Sequence, residues 1–437
     1  MTINRNLTRR ESLKWMSFAG LGALTSFPTL SLGGGAPSGH IVVVGGGFGG
    51  ATVAKYLKRL APSLDVTLIE PERRYITCPF TNLYLGGIRS FDSLWHNFDE
   101  LRDQLGVTVI HDWAKDVDVE GRRIQLAGGE SVSWDRLILS PGIDIRWGTL
   151  EGYDEAAAER APHAWKPGAQ SQLLRRQLED MEDGGTFILV APDNPFRCPP
   201  GPYERVSMVA NYLKNHKPKS KILLLDAKDG FSKQGLFMQG WERHYGDMIE
   251  WVSRSNDGRV LRVDADKLEV ETEFGAIHKA DVLNVVPPQK AGFIADRAAV
   301  TDASGWVPIK ARTFESQLVE GVYVIGDATQ AAPMPKSGFV ANTQAKVTAS
   351  AIIADLRGEP PVDPSWANTC YSLITPDWGI SIVGVYEVYD ELLREVPGSG
   401  GVSPMDAGSV FRKQEAENAR AWYAGIAQDV WGTRSLS

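Results

Sequence analysis

The sequence predicts an α/β protein with two dinucleotide-binding (Rossmann-like) domains and a smaller C-terminal α+β interface domain. Three observations predict it. An apolar strand runs into a glycine-rich turn and a helix over residues 40–60, a similar strand pattern restarts at Gly184, and a late strand ends in Gly326-Asp327. The chain has 437 residues, 43% hydrophobic and 23% charged, which suits two or three domains better than one. Its net charge of −8 comes without long runs of one sign, which argues against a nucleic-acid partner.

The first 38 residues read as an address. Arg9-Arg10 stands in a twin-arginine pattern, Trp15 to Leu32 is moderately apolar but broken by Gly20, Gly22 and Pro28, and a small-residue segment follows. A charged start, an apolar middle and a small-residue end make a signal peptide, so the expectation is export to the periplasm. The competing reading, a membrane anchor, fits a short and interrupted stretch poorly, and no later stretch approaches the roughly 20 continuous apolar residues of a spanning helix.

In the first domain His40 to Val44 is a β-branched run of strand length, and Gly45-Gly46-Gly47-Phe48-Gly49-Gly50 follows it directly. Ala51 to Leu60 has helical periodicity, and Asp65 to Ile69 is a second strand ending in Glu70. Each part has a task in holding a dinucleotide. Gly45 permits the tight turn, Gly47 lets backbone approach a pyrophosphate, and Gly50 lets helix and strand touch. The helix N-terminus holds the phosphates, and Glu70 accepts from ribose hydroxyls. An acid there, not a base, argues against a 2′-phosphate. Leu137 to Leu139 is a buried-strand pattern ending in Ser140-Pro141-Gly142, and Gly321 to Ile325 is a strand followed by Gly326-Asp327. The last pattern is similar to the late FAD motif of two-dinucleotide-domain flavoproteins, whose Asp bonds the ribitol chain.

Gly184 to Ala191 and Lys221 to Asp226 read as the opening strands of the second nucleotide fold. The turn between them should carry glycines if a nicotinamide cofactor bound there. It is instead proline-rich, from Pro192 through Cys198-Pro199-Pro200-Gly201-Pro202. Proline removes backbone donors and fixes φ, so the nicotinamide site is expected to be lost.

The chain has three cysteines, Cys78, Cys198 and Cys370. In an oxidising compartment one pair can form a disulfide, which leaves an odd residue. Composition leaves a structural staple, a redox pair and inert core thiols all open.

Several motifs together carry a family resemblance over residues 39 to 430: Val43-Val44-Gly45-Gly46-Gly47, Pro162-His163-Ala164-Trp165-Lys166, Phe196-Arg197-Cys198-Pro199-Pro200-Gly201-Pro202-Tyr203-Glu204-Arg205, Pro333-Met334-Pro335-Lys336-Ser337-Gly338 and Asn368-Thr369-Cys370-Tyr371-Ser372. The chain resembles the flavoprotein subunit of flavocytochrome c sulfide dehydrogenase, within the disulfide-reductase type of flavoprotein and akin to sulfide:quinone oxidoreductase. The resemblance implies that Cys78 carries FAD covalently, and that Cys198 and Cys370 form a redox-active disulfide beside the flavin. It implies that hydrosulfide attacks this disulfide, that two electrons pass to FAD and then to a partner cytochrome c subunit, and that sulfane sulfur or polysulfide is the product. Glu204 matches an acid near the family's disulfide and either moves protons or pairs with Arg205 at the surface. Trp422 matches an aromatic near the flavin, or simply packs. Lys336 either stabilises the reduced flavin's negative charge or sits in a solvated loop. No metal-ligand spacing and no haem-attachment Cys-x-x-Cys-His motif occur, so the haem would belong to the partner.

The implied layout is a signal peptide over 1–38, an FAD-binding domain split into 39–151 and 288–361, a second nucleotide-like domain over 152–287, and the interface domain over 362–437. The last amphipathic helix, Gln414 to Val430, carries Glu415, Glu417 and Asp429 and is expected to pack on its own protein, not on a bilayer. Two other functions stay open: a sulfide:quinone oxidoreductase, and a non-catalytic flavoprotein accessory of a sulfur-oxidising complex.

Overall fold

Two parallel sheets dominate the structure, a computed structural model that describes residues 36–432. The leader expected over residues 1–38 lies, but for its last residues, outside this range. In chain order, β1 (His40–Val44) feeds α1 (Phe48–Leu60), and β2 (Asp65–Ile69), the short helix α2 (Thr81–Leu85), β3 (Thr108–Ile110) and β4 (Arg136–Leu139) follow. Next come α3 (Ala169–Asp180), β5 (Thr186–Ala191), α4 (Gly201–His216), β6 (Lys221–Asp226), α5 (Gln234–Tyr245), β7 (Ile249–Val252) and β8 (Val282–Val285). The chain then forms β9 (Val322–Val324) and α6 (Gly338–Leu356), and ends with β10 (Ser365–Thr375), β11 (Trp378–Tyr389), β12 (Leu392–Glu395), β13 (Gly401–Val402) and α7 (Ser409–Trp431).

The first sheet has the order β9-β4-β1-β2-β3, all parallel. Apart from the edge strand β3, its strands are almost wholly buried, as a parallel sheet covered on both faces requires, and this is why they read as continuous apolar runs without alternation. The second sheet is also parallel, in the order β7-β6-β5-β8. The predicted strands His40–Val44, Asp65–Ile69 and Lys221–Asp226 are those observed. The C-terminal region is one long antiparallel hairpin, β10 with β11, extended by β12 and β13. Gly379 and Gly384 interrupt the apolar pattern of β11.

Helix α7 starts earlier than predicted, at Ser409, and packs on its own protein. Tyr423, Ile426, Ala427, Val430 and Trp431 are buried, and the Trp431 indole N–H donates to the Gly46 carbonyl at 3.1 Å. Trp431 also stacks on His96, centroid to centroid 4.6 Å. The chain's last helix is thereby clamped onto its first glycine turn. No helix among the described residues is long and apolar enough to cross a membrane.

In the second sheet the acid at the end of the second strand is engaged by the protein's own side chains. In a dinucleotide fold the acid ending the second strand takes the ribose hydroxyls. Here that acid is Asp226, fully buried, with its carboxylate paired to Lys228 Nζ at 2.6 Å. It also accepts from Tyr203 Oη at 2.6 Å and Trp251 Nε1 at 3.1 Å. Tyr203 in turn stacks on Phe231 at 3.6 Å. Asp226 is thus committed to Lys228, Tyr203 and Trp251, and the turn after β5 carries prolines, which lack backbone donors. NADH is therefore expected neither to bleach the flavin nor to raise the melting temperature. Asp226→Ala should lower stability by about 3 kcal/mol, since it strands a buried ammonium; thermal unfolding of the two proteins measures the difference.

Candidate functional site

A cavity, partly open to solvent, lies between the glycine turn of the first sheet, the proline-rich loop and the C-terminal hairpin. Every predicted site residue except Gly50 lines it: Gly45, Gly47, Glu70, Cys78, Pro141, Gly142, Cys198, Glu204, Gly326, Asp327, Lys336, Cys370 and Trp422. Gly50 has a different task. A Cβ there would lie 1.7 Å from the Gly45 carbonyl oxygen, so the residue lets α1 approach its own turn.

The dinucleotide end is built as the sequence suggests. Gly45 has φ of +99°, and a Cβ on it would meet the Ser140 carbonyl oxygen at 2.4 Å. The open N-terminus of α1, capped by Gly47 with no side-chain acceptor, faces the cavity. Glu70 is buried and accepts from the Gly46 and Glu72 amides at 2.7 and 3.0 Å. Burial raises its carboxyl above the usual range, and the two amides oppose this.

At the other end, Asp327 pairs through Oδ2 with Arg197 Nε at 2.7 Å, and both side chains are only 14% exposed. Its second oxygen, Oδ1, is buried with no hydrogen-bond partner in the protein, and so is the Trp422 indole N–H. A buried orphan acceptor at the end of a strand, a buried orphan donor across the cavity and a glycine turn with no room for side chains are what a bound FAD requires. The donor set fits that cofactor. Trp422 stacks on Phe339 at 6.3 Å and so both packs and lines the cavity.

Lys336 departs from the solvated-loop reading. Its ammonium donates to the Asp327 and Thr329 carbonyls, both at 2.7 Å, and lies 3.8 Å over the Trp306 ring. Burial lowers it to about 8. Glu204 departs from the surface-pair reading. Its Oε2 accepts from Asn82 Nδ2 at 2.9 Å and its Oε1 from the Leu373 amide at 2.9 Å, with no ion pair to Arg205. Burial raises its carboxyl above the usual value, making it a group that can take and return a proton. Arg205 is buried and donates to Asn82, His163, Ala164 and Asn284, stacked 4.7 Å over Trp165.

The three cysteines come from distant parts of the chain and share one wall. Cys78 lies just before α2, Cys198 just before α4, and Cys370 in the middle of β10. All are free thiols in the structure and partly buried. Burial raises each thiol; Arg197, in hydrogen-bonding reach, pulls Cys78 back down. Cys198 holds φ of +59° and its amide donates to the Lys336 carbonyl at 2.8 Å. Cys198 and Cys370 are close enough for a charge on one to disfavour a charge on the other.

Three contributors were invisible in the sequence reading. Arg197 stands beside Cys198 in a quoted motif, but nothing local tied it to Asp327. Asn82 is one polar residue on a short helix. Lys233 is a lone lysine in a turn whose ammonium donates to the Ser372 hydroxyl at 2.8 Å and the Cys370 carbonyl at 3.3 Å. A spacing argument finds none of them.

Comparison with known proteins agrees with this architecture. Residues 171–287 match the family model described as the central part of the sulfide dehydrogenase [flavocytochrome c] flavoprotein chain, and residues 362–431 match flavocytochrome c sulphide dehydrogenase, flavin-binding. Residues 39–178 match pyridine nucleotide-disulphide oxidoreductase. A mitochondrial sulfide:quinone oxidoreductase of Mus musculus is 23% identical over 351 residues, covering 77% of this chain and 75% of that protein. A sulfide dehydrogenase [flavocytochrome c] flavoprotein chain of Chlorobaculum thiosulfatiphilum is 64% identical over 43 residues, 10% of this chain and 90% of that sequence. The sulfide:quinone oxidoreductase structure from Aquifex aeolicus superposes with a TM-score of 0.68 at 18% identity, over 90% of this chain and 92% of that one.

Flavin occupancy tests the cradle. Gly45→Val should purify without the yellow chromophore, whereas Gly425→Ala, in open space on α7, should retain it; the visible absorbance ratio decides.

Proposed function

We propose that this chain, an α/β flavoprotein carrying flavocytochrome c sulfide dehydrogenase signatures over residues 171–287 and 362–431, is a sulfide-oxidising enzyme. In the finer reading it is the flavin subunit of a periplasmic sulfide dehydrogenase, exported by the twin-arginine route, whose electrons go to a cytochrome c. The observation that carries the proposal is the convergence of Cys198 and Cys370 on the wall of one cavity with the FAD cradle.

The chain's own residues supply most of the chemistry. FAD would be held by the turn at Gly45, the end of α1, Glu70, Asp327 and Trp422, with Cys78 as the candidate for a covalent link. When bound, it accepts the two electrons released by sulfur and passes them on singly. A Cys198–Cys370 disulfide is the electrophile for hydrosulfide, and exchange favours whichever sulfur leaves as the better-stabilised thiolate. Glu204 accepts the hydrosulfide proton. Lys336, Arg197 and the N-terminus of α6, capped by Ser337, set positive potential at the cavity wall, where reduction adds negative charge. Since burial raises the Glu204 carboxyl, its basic form is lost as pH falls through that raised value.

The acceptor has a second reading. Aligned over most of the chain, the mouse relative is a sulfide:quinone oxidoreductase, which favours quinone. Against it, Tyr423, Ile426, Ala427, Val430 and Trp431 of α7 are buried within this chain, although Val410 and Phe411 in its first turn are exposed.

Stopped-flow spectra with sulfide should show bleaching of the flavin in the native protein and none in Cys370→Ser, which should keep its flavin. Bleaching that survives in Cys370→Ser overturns the disulfide chemistry, and a native protein that never bleaches supports the accessory function instead. Glu204→Gln should slow bleaching by about 100-fold or more and abolish the acid limb of its pH profile. Cytochrome c reduction measured against decylubiquinone reduction separates the acceptors, and flavin retained on the denatured Cys78 peptide in a mass spectrum establishes the covalent link.

A further inference from the structure

Lys233 is placed where a lysine is costly. It is 7% exposed, precedes the first turn of α5 and holds a left-handed backbone with φ of +61°. A cation at a helix N-terminus opposes the helix dipole, and a buried ammonium needs an anion close by. No carboxylate lies within ion-pair distance of it among the described residues. Its hydrogen bonds go to the Ser372 hydroxyl and the Cys370 carbonyl, and the ammonium lies 5.8 Å from the centre of the Phe237 ring; none of these partners carries a negative charge.

The groups facing it identify the missing anion. Around it stand Cys370, Glu204 on α4, Cys198 and Glu415 on α7. Glu204 is already aimed at Asn82 and the Leu373 amide. Glu415 is taken up by Ser381, Ser403 and Arg412. That leaves the two sulfurs, and the hydrogen bonds of Lys233 choose between them: they go to the Cys370 carbonyl and to the hydroxyl of Ser372, whose side chain shares a face of β10 with that of Cys370. We propose that Lys233 is the counter-cation of an anionic sulfur on Cys370, a positioning residue that holds negative charge there.

The role rests on the sulfide chemistry proposed above. Hydrosulfide opens a Cys198–Cys370 disulfide by breaking that S–S bond and forming a new one to the incoming sulfur. One cysteine becomes a persulfide, the electron pair of the broken bond stays on the other as a thiolate, and the hydrosulfide proton passes to Glu204. Whichever sulfur is attacked, Cys370 ends the step able to carry negative charge, as a thiolate or as the persulfide anion. A fixed ammonium beside it stabilises both. Lys233 draws Cys370 towards its anionic form, whereas Glu204 opposes this.

The test reads the thiol directly, without turnover. Reduced protein is pulsed with iodoacetamide across a pH series, and alkylation of each cysteine is followed by peptide mass spectrometry. In Lys233→Met the Cys370 profile should move to higher pH, with alkylation near neutrality about tenfold slower. Cys198 should change by less than about twofold, and Lys233→Arg should restore the native profile. A Lys233→Met protein that retains its flavin and shows an unmoved Cys370 profile overturns the proposal. Should that variant fail to fold, Lys233→Gln, which still donates to Ser372, carries the same expectation, and an unmoved profile there is equally decisive. Native protein with the shifted thiol but no sulfide-driven bleaching would leave the counter-cation standing and remove the sulfide chemistry instead.

Discussion

The buried pair between Arg197 and Asp327 holds the site together. One residue precedes Cys198 on the proline-rich loop of the second sheet; the other ends β9 of the first. At 2.7 Å, with both partners mostly out of water, the interaction is costly to form and costlier to leave half-made, so the two loops have one relative position in which both charges are satisfied. The Cys198 amide bonded to the Lys336 carbonyl reinforces the same junction. The arrangement also occupies just one oxygen of Asp327 and leaves the other for a ligand. Cys198 reaches the cavity through this junction, and Arg197 reaches Cys78 through it as well.

The second sheet keeps the parallel register of a nucleotide fold from β7 to β8. Its turn after β5 is proline-rich, and the acid ending β6 is held by Tyr203 and Lys228. That turn delivers Cys198, Glu204 and Arg205 along the start of α4. Arg205 orients Asn82, and Asn82 orients Glu204, so a buried cation that touches no carboxylate still determines where the acid points.

Much of this was legible in order along the chain. Parallel strands buried on both faces must be apolar throughout, so β1, β2 and β6 could be read to the residue. A tight turn at φ of +99° needs glycine, so Gly45 announced itself. The antiparallel hairpin was less legible, because β11 has one face on the protein and glycines within it, and its apolar pattern breaks into pieces. The surroundings of Glu204 and Lys336 were misread in their bland versions. A charged residue in a polar-looking segment gives no local sign that the fold will bury it.

By itself, the sequence determined the two sheets, the glycine cradle, the proline-rich turn and the three cysteines as the residues to watch. These follow from local rules: strand burial, turn geometry and what proline cannot donate. Only the tertiary structure decided which groups stand beside those sulfurs. Arg197, Asn82 and Lys233 act at distances in sequence that no periodicity encodes, because hydrogen bonds and charges are satisfied in space, and a buried cation is explained only by the anion that packing brings to it.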